Sequence, residues 1–115
     1  MSYRRRLTEM YSQIQEASFN IKPFLDVKDK IRNIDEVTRW VKEKGFNKHG
    51  YCQSIAALYN YVDNGRGQGM AAPGHVAYLR GDKVYDPIMF SSVPVSRSEW
   101  EKKFPKNNVV RLIRL

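Results

Sequence analysis

The sequence predicts a single α+β domain over residues 1–115, with N-terminal helices packed on one face of a small antiparallel sheet. Apolar residues at helical spacing dominate the first half of the chain, and β-prone runs dominate the second half, with one short helical segment between strands. At 115 residues, 42% of them hydrophobic, the chain is long enough to bury one core and too short for two domains.

Two helices are expected before residue 46. Residues 4–18 carry apolar side chains at helical spacing. After a break expected at Pro23, a second helix begins at Asn33–Glu36, where Asp35 can cap it. Gly45 is expected to end this helix, because glycine adopts the left-handed conformation that commonly follows a helix.

A third helix is expected over residues 50–62, with Cys52 in its first turn and Asn64-Gly65 as a stop signal. The segment 63–73 contains three glycines and a proline among polar residues. That composition predicts a flexible loop. It does not favour a phosphate site, because no Lys-Ser/Thr pair follows the glycines.

The second half of the chain predicts strands. Residues 75–79 and 83–89 are β-prone and are joined through Arg80-Gly81-Asp82, which predicts a hairpin. Residues 96–99 have the capping-box pattern Ser-x-x-Glu and predict a short helix that Pro105 stops. A final strand is expected over residues 109–115.

The net charge of +8 favours acidic partners: nucleic acid, an acidic protein or an anionic membrane surface. A solvated basic surface is the simpler alternative. No run approaches the roughly 20 apolar residues that a membrane-spanning helix needs. The basic N-terminal residues have no apolar run behind them, so no secretory signal is expected. These features predict a cytoplasmic protein, or one delivered into a target cell by another route.

Cys52 is the only cysteine, so an internal disulfide or a multi-cysteine zinc site is excluded. A lone cysteine is either a buried, inert side chain or a reactive thiol. The start of a helix favours the second alternative, because free N–H groups and the positive end of the dipole stabilise a thiolate. The backbone N–H of Cys52 is also expected to point toward the carbonyl oxygen under attack.

His75 and Asp86 lie on the two strands of the predicted hairpin. A turn of two or four residues would put both side chains on the same face, directly opposed or one diagonal apart. The order Cys, His, Asp is then that of a nucleophile, its base and the group that orients the base. Taken singly, His75 could be a core histidine and Asp86 a strand-end carboxylate.

A metal site is a disfavoured alternative. The spacing His49-x-x-Cys52 suits a metal ligand pair, and His75 with Asp86 could complete four ligands. His49 lies just before the helix, however, where it can simply face solvent. No metal and no cofactor are therefore expected.

The segments around these residues resemble the transglutaminase-like and papain-like cysteine enzymes. Residues 50–58, Gly-Tyr-Cys-Gln-Ser-Ile-Ala-Ala-Leu, resemble the cysteine segment of that superfamily. Residues 74–78, Gly-His-Val-Ala-Tyr, and 82–87, Asp-Lys-Val-Tyr-Asp-Pro, resemble its histidine and aspartate strands. The chain is most similar to the papain-fold domains of bacterial polymorphic toxins, in which a helix with a Glu-Trp…Phe pattern follows. The resemblance covers residues 45–105.

The resemblance implies that Cys52 is the nucleophile, His75 the base and Asp86 the orienting group. It implies a thiol hydrolase or acyltransferase that acts on a protein amide as a peptidase, a glutamine deamidase or a cross-linking enzyme. A toxin or effector of this kind would need an immunity partner, and an acidic inhibitor protein would suit the charge of this chain.

The chain departs from the family in two respects. The separation between Cys52 and His75 is shorter than in most transglutaminase-like members. No upstream glutamine lies where papain-like proteases carry their oxyanion donor. The candidate substitutes are Asn47, Gln13, Gln15 and Trp40. The candidate residues of the substrate cleft are Tyr51, Gln53 and Gly74.

Two other functions compete with the thiol enzyme. An RNA-cleaving toxin on a papain-like scaffold would use His75 with lysines and tyrosines, and it would tolerate Cys52→Ala. A non-catalytic module that binds an acidic partner would tolerate loss of either residue, but not charge reversal at residues 4–6 or at Lys102 and Lys103.

Overall fold

The computed structural model describes residues 22–105 and 110–115. Within these ranges the chain forms a small α+β domain with four α helices and a five-stranded antiparallel sheet. The helix predicted over residues 4–18 lies outside the described residues. The helices are α1 (Lys22–Val27), α2 (Ile34–Glu43), α3 (Cys52–Val62) and α4 (Arg97–Glu101), with a 3-10 helix at His49–Tyr51. The strands are β1 (Gln68–Ala72), β2 (His75–Arg80), β3 (Lys83–Tyr85), β4 (Val95–Ser96) and β5 (Arg111–Ile113).

The sheet has the order β4-β3-β2-β1-β5, and its central strand β2 is covered on both faces. Val76 and Tyr78 pack into the cluster that contains α3. Ala77 and Leu79 pack with the fully buried Trp100 of α4. The prediction that helices cover one face only is therefore wrong, because α4 covers the opposite face. No helix of the described part has the length and apolar character needed to cross a bilayer.

The start of α2 corrects the predicted cap. Asn33 has an extended backbone, and its side chain accepts a hydrogen bond from the N–H of Glu36 at 3.0 Å. Asp35 lies inside the first turn, where a carboxylate interacts favourably with the helix dipole but cannot act as the N-cap. Asn33, two residues earlier, is therefore the capping residue.

Gly45 ends α2 as predicted, with a φ of +74°. The N–H of Gly45 bonds to the carbonyl of Lys42 and the N–H of Phe46 bonds to the carbonyl of Val41, which is the Schellman pattern. The turn places the Phe46 ring 5.1 Å from that of Trp40. This contact directs the chain toward the 3-10 helix that precedes Cys52.

Pro23 does not break the chain. It is the second residue of α1, and proline is tolerated in the first turn because the N–H groups there have no intrahelical acceptor. Phe24 beside it is fully buried. The Phe24 ring packs against Trp40, Phe46 and Tyr51 at centroid distances of 5.3, 5.3 and 5.7 Å.

Helix α3 is the buried centre of the domain, with eight of its eleven residues buried. It begins at Cys52 rather than at residue 50, because the preceding three residues form the 3-10 helix. The stop signal is confirmed: Asn64 and Gly65 adopt φ values of +57° and +70°. Tyr59 stacks on Tyr78 with ring centroids 5.6 Å apart, which fixes α3 against β2.

The predicted flexible loop over residues 63–73 is wrong in its second half, which forms strand β1. Gly69 lies opposite Tyr78 on β2 and opposite Ile113 on β5. A Cβ atom at Gly69 would collide with the side chain of Ile113. The glycine therefore serves close packing between strands rather than flexibility.

The ends of the remaining elements follow from local hydrogen bonds. Strand β3 ends at Tyr85 rather than near residue 89, because the side chain of Asp86 accepts hydrogen bonds from the next turn. The predicted capping box is confirmed at its N-cap, where Ser96 Oγ accepts from the N–H of Glu99 at 3.2 Å. The final strand spans residues 111–113 within the predicted 109–115.

Candidate active site

The register of the β2–β3 hairpin brings His75 and Asp86 together. Tyr78 lies opposite Tyr85, and Arg80 opposite Lys83, so the turn has two residues. Continuing this register places Asp86 one diagonal from His75 on the same face. His75 Nε2 lies 2.7 Å from Asp86 Oδ2. The predicted pairing of these two side chains is confirmed.

Asp86 is held by four donors. Its Oδ2 accepts from His75 Nε2 and from Trp100 Nε1, each at 2.7 Å. Its Oδ1 accepts from the backbone N–H groups of Ile88 and Met89, each at 3.1 Å. Only 3% of Asp86 is exposed. Four donors match the acceptor capacity of a carboxylate, so its orientation is fixed.

Aromatic rings surround His75. Trp100 and Phe104 lie at centroid distances of 6.3 and 6.2 Å, in near-stacked orientations. His49 contacts the same ring edge-on at 5.3 Å. Before the structure, only the resemblance of its helix to the toxin domains pointed to Trp100. Its role as a donor to Asp86 was missed, because α4 reaches β3 only by packing on the sheet.

Burial and hydrogen bonding oppose each other at His75. Burial lowers its pKa, since it disfavours the charged ring. The hydrogen bond to Asp86 and the interaction with the Cys52 side chain outweigh burial and raise the pKa of His75 to about 9. These two interactions therefore favour the protonated ring.

Cys52 is the first residue of α3, and 9% of it is exposed. Because Nε2 of His75 is used by Asp86, Nδ1 is the nitrogen left for the thiol. Nδ1 is buried and has no well-formed hydrogen bond to any described residue. Hydrogen bonds between catalytic groups are often long or poorly aligned before substrate binds. The arrangement leaves an imidazolium N–H available to the sulfur.

The backbone N–H of Cys52 does not serve the predicted role. It donates to the carbonyl of His49, which closes the 3-10 helix. It is therefore not free to bind a carbonyl oxygen. The oxyanion donor that the sequence predicts would therefore have to be another group.

A cleft of about 570 Å³ opens beside Cys52 and His75. Its size is that of a small-ligand or side-chain pocket. Of the predicted cleft residues, Gln53 and Gly74 line it, whereas Tyr51 does not. Tyr51 instead packs against Phe24 and Phe46. The lining residues are His49, Cys52, Gln53, Ala71, Ala72, Gly74, His75, Val76, Arg111, Ile113, Arg114 and Leu115.

The two predicted oxyanion donors within the described residues, Asn47 and Trp40, do not line this cleft. Asn47 is exposed and Trp40 packs with Phe24 and Phe46, and neither lines the cleft. Gln13 and Gln15 lie outside the described residues. Among the described lining residues, Gln53 carries the only side-chain amide. It is therefore the best-placed candidate for the donor.

The described ranges contain no group of three or more His, Cys, Asp or Glu side chains that could hold a metal ion. The four-ligand arrangement of His49, Cys52, His75 and Asp86 is not formed. Both oxygens of Asp86 are directed to hydrogen-bond donors instead.

No family model matches the chain, and searches of curated proteins and of solved structures returned no match. The resemblance to papain-like and transglutaminase-like enzymes therefore stays a prediction from the sequence segments.

Proposed function

We propose that this protein is a cysteine-dependent acyl-transfer enzyme of papain-like or transglutaminase-like type that hydrolyses a protein amide, as a peptidase or a glutamine deamidase. The observation that carries the proposal is the buried His75, whose Nε2 is fixed by Asp86 while Nδ1 remains available beside Cys52 at an open cleft. A histidine with a purely structural role would be expected to have both ring nitrogens satisfied.

In the first step, the Cys52 thiolate attacks the carbonyl carbon of the amide. A carbon–sulfur bond forms, and the π electrons of the carbonyl move to its oxygen. As the tetrahedral intermediate collapses, the imidazolium of His75 gives its proton to the leaving nitrogen. The carbon–nitrogen bond breaks, an amine or ammonia departs, and a thioester remains on Cys52.

In the second step, neutral His75 takes a proton from water, and the oxygen of that water attacks the thioester. The carbon–sulfur bond breaks and its electrons return to sulfur. The carboxylic acid leaves, and the starting thiolate and imidazolium are restored. Asp86 keeps the ring oriented and stabilises its charged form throughout.

The primary test is the rate of Cys52 alkylation by iodoacetamide between pH 5 and 9, in the wild type and in His75→Ala, with Cys52→Ser as the blank. An imidazolium beside the sulfur favours the thiolate. The wild type should therefore react at pH 6 at least about 10-fold faster than His75→Ala. Rates like those of free cysteine in both proteins would overturn the proposal.

His75→Gln serves as a second variant, and circular dichroism establishes that each variant is folded. Ammonia release and new N-termini from unfolded casein then separate deamidation from peptide cleavage. RNA cleavage that survives Cys52→Ala but not His75→Ala would assign the site to the RNA-cleaving alternative instead.

A further inference from the structure

Two arginines line the same cleft as the proposed nucleophile. Arg111 begins strand β5 and Arg114 follows the end of that strand, and both side chains are exposed. Neither makes an ion pair with any residue in the described ranges. Among the residues that the structure describes, no aspartate or glutamate lines the cleft. Both positive charges are therefore available to a bound molecule.

Arg111 occupies a defined place in the wall of the cleft. It pairs with Ala71 across the β1–β5 ladder, so the strand register fixes its backbone. A second cavity of about 480 Å³, lined by residues 71–74 together with Arg111, adjoins the first. Arg111 therefore lies where the two cavities meet, together with Ala71, Ala72 and Gly74.

The rest of the cleft wall combines apolar side chains with Gln53 and two histidines. Val76, Ile113 and Leu115 line it with two alanines of β1. His75 also carries a positive charge, but its buried partner Asp86 balances that charge. Within the described ranges, the two arginines have no such partner. The cleft thus combines apolar contact surface with two arginine charges in the same cleft as Cys52.

We propose that the cleft selects a protein segment with acidic side chains flanking the reacting amide, and that Arg111 and Arg114 determine this specificity. The inference rests on the proposed acyl-transfer function. A peptide is favoured over a nucleic acid, because the thioester chemistry of Cys52 requires an acyl group, which a phosphodiester does not offer.

The test compares two alkylating reagents of nearly equal size, anionic iodoacetate and neutral iodoacetamide. The ratio of their rates with Cys52 is measured at pH 7 in low salt for the wild type, Arg111→Gln/Arg114→Gln and Arg111→Lys/Arg114→Lys. Removing both charges should lower the iodoacetate-to-iodoacetamide ratio by about 5-fold or more. The lysine variant should keep the wild-type ratio, and added salt should reduce the difference.

A matched control removes two arginines elsewhere. Arg32 lies just before α2 and Arg39 lies on it. Both are exposed, and neither lines the cleft. Arg32→Gln/Arg39→Gln therefore makes the same change in net charge and should leave the ratio unchanged. An equal fall in this control would mean that net charge alone is responsible, and would overturn the proposal.

The two reagents also separate this inference from the proposed function. Slow reaction of the wild type with both reagents would contradict the reactive thiol itself. Fast reaction with both reagents and an unchanged ratio in Arg111→Gln/Arg114→Gln would leave the thiol enzyme standing and overturn the specificity.

Protection of Cys52 from iodoacetamide tests the substrate class directly. The probes are a five-residue peptide with a central glutamine and glutamates on both sides, and the same peptide with lysines. The acidic peptide should slow alkylation in the wild type and lose this effect in Arg111→Gln/Arg114→Gln. Equal protection by the lysine peptide, or stronger protection by single-stranded oligouridylate, would overturn the proposal.

Discussion

His75 Nε2 and Asp86 Oδ2 lie 2.7 Å apart, although His75 begins β2, Asp86 follows the end of β3, and the two do not face each other directly in the ladder. Both are more than nine-tenths buried. Asp86 shields the Nε2 side of the ring from water. The opposite nitrogen, Nδ1, is the one left for Cys52. This one-sided arrangement suits a base that must stay oriented while it exchanges a proton.

Asp86→Asn should disrupt the site. One carboxylate oxygen becomes an NH₂ group, which is itself a donor. This group would face either His75 and Trp100 or the backbone N–H groups of Ile88 and Met89, all of which also donate. The loss of a buried charge pair should cost about 2–4 kcal/mol of unfolding free energy. Iodoacetamide alkylation of Cys52 at pH 6 should fall at least about 10-fold. Asp63→Asn is the control, because Asp63 accepts from Tyr78 and Arg80 away from the cleft. It should lower stability and leave alkylation unchanged.

Trp100→Phe should isolate the hydrogen bond from the ring. Phenylalanine retains most of the apolar bulk but leaves one donor to Asp86 missing. Urea denaturation should show a loss of about 1–3 kcal/mol. The comparison variant Trp40→Phe removes an indole that makes no hydrogen bond within the described residues, so it should cost less. Equal losses of unfolding free energy in the two variants would mean that the Trp100 hydrogen bond makes no measurable contribution to stability.

The stability of the protein should fall as the pH rises through the range in which His75 titrates. The folded-state pKa of His75 is raised from 6.5 to about 9, so the native protein holds this proton more tightly than the unfolded chain does. The stabilisation is fully present below pH 6.5 and is lost by about pH 9, a change on the order of 3 kcal/mol. The groups that face the ring are Asp86, Cys52 and His49.

Urea denaturation at pH 6, 7.5 and 9 measures this change, and His75→Gln provides the reference without it. Burial raises the pKa of Tyr59 and of Tyr78. These groups therefore reduce stability only above the usual tyrosine pKa of 10, beyond the measured range. If the unfolding free energy of His75→Gln changed with pH as much as that of the wild type, the assignment to His75 would be contradicted.

Gly74→Ala should affect the site through the backbone. Gly74 has a φ of +76°, and a Cβ atom there would meet nothing within 4 Å, so the cost is conformational, about 1–2 kcal/mol. Gly81 is a matched control at the other end of β2, with a φ of +66° and equally open surroundings. Both alanine variants should lose similar stability. Only Gly74→Ala should change the alkylation rate, because Gly74 precedes His75 and lines the cleft.

Asn33→Ala should cost about 1 kcal/mol, because it removes the side-chain acceptor that caps α2. Asp35→Ala should cost only about 0.3–0.5 kcal/mol, the value of a favourable charge near a helix N-terminus. Thermal denaturation of the two variants measures the difference. A larger loss of stability in Asp35→Ala would mean that Asp35 is the capping residue, as the sequence pattern predicted.

The features that the sequence predicted correctly are those set by neighbouring residues. Gly45 ends α2, Asn64-Gly65 ends α3, and Ser96 caps α4, because each depends on hydrogen bonds within one turn. Strand β1 was missed for the opposite reason. Its glycines have no β propensity of their own. Gly69 is needed because Ile113, on a strand more than 40 positions later, packs against it.

The sequence by itself predicted which side chains could act and, for a turn of two or four residues, that His75 and Asp86 share a face. A two-residue turn at Gly81 fixes the hairpin register, and the period of two in a strand then puts His75 and Asp86 on one face. Only the tertiary structure decided the rest of the site. The packing of α3 on β2 brings Cys52 to His75, α4 brings the Trp100 donor, and β5 brings two arginines to the cleft. These contacts join distant segments, so they depend on the burial of the whole core rather than on any local pattern.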